Sequence, residues 1–124
     1  MANKYFGQSP LIVDIDNDGR QDLVWINMNG PVRAFRNTSK ENYITVVVPD
    51  TVAALGTRVR IETENGESYT RDVLAGEGML TDQTPELTFG LGKLDHVLSV
   101  TVNRPNGETE VILAPPINQK LSIR

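Results

Sequence analysis

Four aspartates crowd into one short stretch of this 124-residue chain, Asp14-Ile15-Asp16-Asn17-Asp18-Gly19-Arg20-Gln21-Asp22. Their carboxylates repel one another unless a cation compensates them. The spacing suits calcium, which takes six to eight hard oxygen ligands at about 2.3–2.6 Å. Asp14, Asp16 and Asp18 occupy loop positions 1, 3 and 5. Gly19 at position 6 permits the sharp turn that brings the next carbonyl inward. Arg20 at position 7 offers its backbone oxygen, and Asp22 at position 9 closes the shell, directly or through water. The competing reading is a solvated acidic turn with no ion. Magnesium prefers fewer protein ligands and more waters. Zinc is poorly served by a chain with no Cys and one distant histidine, His96.

Nothing else in the chain offers an equally specific chemistry. His96 sits in Lys93-Leu94-Asp95-His96 without a Gly-x-Ser-x-Gly or a cysteine to activate, so it reads as a surface histidine. Glu77, Asp82 and Glu86 are carboxylates of the kind glycosidases pair, but sequence spacing does not give their separation in space. Gly76-Glu77-Gly78 reads more simply as a backbone bend. Gly90-Leu91-Gly92 lacks the Gly-Lys-Ser/Thr and following helix of a phosphate loop. Its glycines suit a tight bend or a close backbone approach. Arg58, Arg60 and Arg71 are expected to share one face of two paired strands, either as an anion-binding patch or as a solvated face beside Glu62, Glu67 and Asp72. The chain is therefore expected not to be an enzyme.

Composition narrows the class. The net charge is −4 and the twelve Lys and Arg are scattered, which argues against a nucleic-acid surface. No apolar run approaches the roughly 18 residues of a membrane span. The absence of cysteine removes disulfides and thiolate metal sites. With aromatics at only 6%, a core must rest on Val, Ile and Leu. Residues 1–7 contain no apolar stretch of the secretory kind, so a cytoplasmic location stays open.

The elements that must hold the loop are strands. Leu11-Ile12-Val13 leads into it and Leu23-Val24-Trp25-Ile26 leads out. A turn at Asn27-Met28-Asn29-Gly30 returns the chain through Pro31–Arg36, and Asn-Gly between apolar runs is a hairpin signal. Trp25 and Phe35 are expected to pack across that hairpin. Residues 37–42 read as a polar linker. Further strands are expected at Tyr43–Val48, Thr57–Glu62, Ser68–Leu74, Glu86–Phe89, Val97–Val102, Thr109–Leu113 and Lys120–Ile123, with one helical turn at Val52–Leu55 ended by Gly56. Strands recurring every 8–12 residues point to a sandwich or barrel. An EF-hand is ruled out, because position 12 is Trp25 and the flanks are β-strands.

Two stretches resemble known families. Val13–Asn37 resembles a single FG-GAP/VCBS repeat, the unit of integrin-type β-propeller blades, in its Asp-rich loop, its Asp22-Leu23 pair, its Asn-Gly turn and its closing Arg36-Asn37. That resemblance implies calcium held by Asp14, Asp16, Asp18, the Arg20 carbonyl and Asp22. Residues 42–124 resemble the ASPIC/UnbV domain through Gly56-Thr57-Arg58-Val59-Arg60, Gly76-Glu77-Gly78, Glu86–Gly92, Arg104-Pro105-Asn106-Gly107 and Asn118-Gln119-Lys120-Leu121. The chain departs from the family in having Arg104-Pro105-Asn106-Gly107 where Trp-Pro-Ser-Gly is common, and in a short segment between Val48 and Gly56. One repeat is too little for a propeller, which needs several blades.

The expectation is an all-β protein, a small β-sandwich or barrel at 41–124 preceded by a calcium-loop hairpin at 1–40. It would act as a calcium-binding, non-catalytic recognition or adhesion module for a protein or carbohydrate partner. By resemblance it would work outside the cell or in the periplasm. A metal-independent structural or self-assembling protein, pairing copies through the hairpin edge, is the alternative.

Overall fold

The computed structural model describes residues 6–75 and 85–124. Glu77, Asp82 and Gly76-Glu77-Gly78 lie outside them. The described residues are all-β and fall into two compact units, 6–39 with 75, and 40–74 with 85–124.

The first unit is a three-stranded antiparallel sheet in the order β1 (Phe6–Val13), β2 (Asp22–Met28), β3 (Arg33–Phe35). β1 begins five residues earlier than the Leu11 expected from sequence. Gly7, Ser9 and Pro10 are residue types that give no strand signal in the sequence. Among the described residues β1 is an edge strand, the place in a sheet where proline is tolerated. The glycine serves close approach: a Cβ on Gly7 would lie 2.3 Å from Nε1 of Trp25. That indole nitrogen is buried with no acceptor among the described residues.

The expected hairpin forms, with β2 and β3 antiparallel and the turn at Asn29-Gly30. The β2–β3 ladder stops at Trp25↔Arg33, while β2 runs on to Met28 against β1. Continuing the register would set Asn27 against Pro31, which has no N–H to give. The Asn27 side chain donates to the Pro31 carbonyl instead, at 2.7 Å. Register also sets Leu23 opposite Phe35, so Trp25 and Phe35 are diagonal neighbours, and Arg33 covers the Phe35 ring at 5.0 Å.

The second unit is a two-sheet sandwich, not a closed barrel. One sheet runs β10 (Lys120–Ser122), β4 (Asn42–Val47), β7 (Glu86–Gly92). The other runs β6 (Ser68–Asp72), β5 (Arg58–Thr63), β8 (Val97–Asn103), β9 (Thr109–Leu113). All pairings are antiparallel except β4 with β10. Period-2 patterning decides what faces inward. In β5 the buried Val59, Ile61 and Thr63 alternate with exposed Arg58, Arg60 and Glu62. Ile44, Val46, Leu87, Phe89 and Leu91 from one sheet meet Val59, Ile61, Val100 and Val102 from the other in one apolar cluster. Each such side chain contributes about 1.5–3 kcal/mol by leaving water. The helical turn expected at Val52–Leu55 is a 3₁₀ turn at Val52–Ala54. Gly56 follows at φ +83° and donates its N–H to the Val73 carbonyl.

Candidate metal centre

The loop between β1 and β2 is closed at its base by the pair Val13↔Asp22. Its curvature comes from Asn17 and Gly19, both left-handed at φ 56° and 86°. Asn tolerates that region and Gly is indifferent to it. The first aspartate organises the turn: Asp14 Oδ1 accepts the Asp18 N–H at 3.0 Å and Oδ2 accepts the Gly19 N–H at 2.9 Å. Asp18 Oδ1 accepts the Arg20 N–H at 2.8 Å, a two-residue Asx turn that tightens the far side.

These bonds converge the acidic side chains. Asp14, Asp16 and Asp18 each present a carboxylate oxygen within 4.8 Å of the other two. Oxygens held at about 2.3–2.6 Å from one calcium ion are at most about 5 Å apart, so three oxygens this close fit a shared ion. The donor set is hard oxygen throughout, as calcium requires. When bound, the ion would be held by these carboxylates and would supply charge neutralisation that locks the strand–loop–strand unit. Two arginines also face the loop. Arg36 Nε lies 2.6 Å from Asp16 Oδ2, and Arg20 Nη1 lies 3.7 Å from Asp18 Oδ2.

Asp22 stands apart from that trio. It is only 2% exposed, and both of its oxygens accept backbone N–H groups: Oδ2 from Ile15 at 2.9 Å, Oδ1 from Asn37 at 2.6 Å. A carboxylate has about four lone-pair sites, so each oxygen keeps capacity for a second partner. Asn37, read from sequence as linker, completes the loop by donating its side-chain amide to the Gln21 carbonyl at 3.2 Å. Only its position after Arg36, at the end of the repeat-like stretch, hinted at this. Asp22 and Asn37 thus tie the loop's start, its end and the exit of β3 into one knot.

The other candidate groups do not assemble a site among the described residues. The expectation that Arg58, Arg60 and Arg71 share a face is corrected by register. Arg71 pairs with Val59 and so faces the opposite way, its guanidinium 5.8 Å from the Phe89 ring centre. Arg58 is paired with Asp72 at 2.7 Å and Arg60 with Glu62 at 3.2 Å. The Arg58 hydrogen bond holds the Asp72 carboxyl below its usual range, and the Asp72 bond raises the guanidinium. The Tyr69 hydroxyl, followed by Asn65, similarly lowers Glu67. His96 is exposed, 3.6 Å from Glu64, and Glu86 is paired with Lys120 at 3.0 Å. No helix among the described residues is long and apolar enough to cross a membrane.

Comparison with known proteins finds two families along the chain, the first match running past the first compact unit to include β4. The model of the ASPIC and UnbV family matches residues 48–124, and that of the FG-GAP repeat matches residues 6–47. The repeat match reaches back over all of β1, beyond the stretch recognisable by eye. Cartilage acidic protein 1 of Homo sapiens is 34% identical over 109 residues, covering 82% of this chain and 16% of the relative. The Mus musculus protein of that name is 33% identical over 82% of the chain. That of Xenopus tropicalis is 29% identical over 94% of the chain and 19% of the relative. The chain thus spans less than a fifth of the length of these curated relatives.

Proposed function

Because the chain belongs to the ASPIC and UnbV family and carries an FG-GAP repeat ahead of that domain, we propose that it is a calcium-binding, non-catalytic recognition or adhesion module. The observation that carries this reading is the convergence of Asp14, Asp16 and Asp18 oxygens within 4.8 Å. The ligand set proposed is those three carboxylates, the Arg20 carbonyl, and Asp22 closing the shell directly or through water. The unit within 1–40 carries the ion. The sandwich within 41–124 presents the surface to a protein or carbohydrate partner. The relatives' name, cartilage acidic protein 1, supports a site of action outside the cell.

Calorimetric titration with calcium, joined to amide hydrogen exchange, tests this. Binding to the folded state alone stabilises by mass action, about 2.7 kcal/mol at a hundredfold excess over Kd. Protection should rise in residues 14–37, and Asp14→Ala or Asp18→Ala should abolish it. A chain that takes up no calcium at millimolar concentration would rule the reading out.

A second reading has its own support. The Asp14 amide bonds and the Arg36–Asp16 pair hold the loop with the chain's own groups. A metal-independent structural or self-assembling protein would need no more than that. In that case Asp18→Ala would leave stability the same with calcium or with chelator.

A further inference from the structure

Arg36 leaves the sheet directly after β3 and returns its guanidinium to the third position of the acidic loop, 2.6 Å from Asp16. Asp16 is the most exposed of the three clustered aspartates. The Arg36 side chain is itself 67% exposed, so it can move into water at little cost. Its positive charge therefore sits on an oxygen-rich site without being locked there. The charged groups in the loop and the arginine that reaches it have a definite sum. Asp14, Asp16, Asp18 and Asp22 carry four negative charges; Arg20 and Arg36 return two. The remainder of minus two is the complement of one divalent cation.

Resting on the calcium reading above, we propose that Arg36 is a built-in counter-ion that competes with calcium for Asp16 and so sets the loop's affinity. A unit charge about 6 Å from a divalent ion repels it, even at the dielectric of water, by enough to weaken binding roughly tenfold. Salt shrinks that figure, since the Debye length falls to about 8 Å at physiological ionic strength. Arg20 is the weaker competitor, being 3.7 Å from Asp18 and tied into the turn by its own backbone N–H. Arg36 thus makes the site weaker for calcium than its carboxylates alone would be, while keeping the ion-free loop from flying apart.

The test compares the full chain with its Arg36→Gln and Arg36→Lys variants by calcium calorimetry at low and at high salt. Hydrogen exchange in chelator provides a readout without calcium. Arg36→Gln should bind calcium about threefold to tenfold more tightly at low salt, with the gap closing at high salt. Arg36→Lys should stay within about twofold of the parent. In chelator, Arg36→Gln should exchange the amides of residues 14–22 faster than the parent. Calcium binding by the parent with equal or weaker binding by a folded Arg36→Gln overturns the competition alone. A parent chain silent to calcium overturns the reading beneath it as well.

Discussion

The two units are built on opposite principles. Every apolar side chain that is buried among the described residues lies between Tyr43 and Ile123. Among the described side chains of residues 6–39 the buried ones are Ser9, Asp22 and Asn27. The sandwich is held by the removal of Val, Ile, Leu and Phe from water, a non-directional force that tolerates small adjustments. The smaller sheet is held by directed bonds around charges, which are strong when complete and costly when one partner is lost. On the proposed calcium reading, the stability of the smaller sheet should follow calcium and that of the sandwich should not.

The comparison is broken most decisively in the sandwich. Ile61 is fully buried in the apolar cluster, and Ile61→Ala should cost about 2–5 kcal/mol from transfer and cavity together. Denaturant unfolding measures it, and the loss should be the same with calcium or chelator. A calcium-dependent loss would mean the two principles are not separate. Next in size is the knot at Asp22. Asp22→Ala strips two backbone N–H groups of a charged acceptor, at about 1.5–3 kcal/mol for each bond made to a charge. Hydrogen exchange should locate the damage at Ile15 and Asn37, leaving β4–β10 protected.

The smallest effect sharpens the contrast from the other side, since charge pairs on the sandwich are ornament to its core. Arg58 holds the Asp72 carboxyl below its ordinary value, chiefly by hydrogen bonding. A carboxyl lowered in the folded state contributes stability that is full above the ordinary carboxylate range and disappears as pH falls through the lowered value. Asp72→Asn should therefore melt slightly below the parent at pH 7 and level with it near pH 2. Because the pair is exposed, the gap should be no more than a degree or two in Tm.

Much of this was legible in the residues. The alternation Arg58–Glu62 announced β5, and Thr109–Leu113 is the strand expected. The Asp-x-Asp-x-Asp-Gly spacing announced a converging loop, because local hydrogen bonds within a few residues shape it. What stayed hidden depends on partners far away in sequence. The face of Arg71 is fixed by its pairing with Val59, and a one-residue change of register reverses it. Asn37 looked like linker because its bonds reach back to Gln21 and Asp22. β1 was shortened because Gly7 and Pro10 give no strand signal until Trp25 and an edge position explain them.

The parallel pairing of β4 with β10 has a consequence for biosynthesis. Tyr43 donates its backbone N–H to Oδ1 of Asn118, 75 positions further along, and Lys120–Ser122 lie beside Thr45–Val47. At about 5–20 residues per second, a ribosome delivers the partner roughly 4–15 seconds after β4 has emerged. During that interval Tyr43-Ile44-Thr45-Val46-Val47-Val48 has both backbone edges unclaimed until β7 is made and one unclaimed after that, and it is an uncharged hexamer rich in β-branched residues, of the kind that self-associates. The nascent chain is thus most vulnerable to clumping before its last strand arrives, and that window is where a chaperone would matter most.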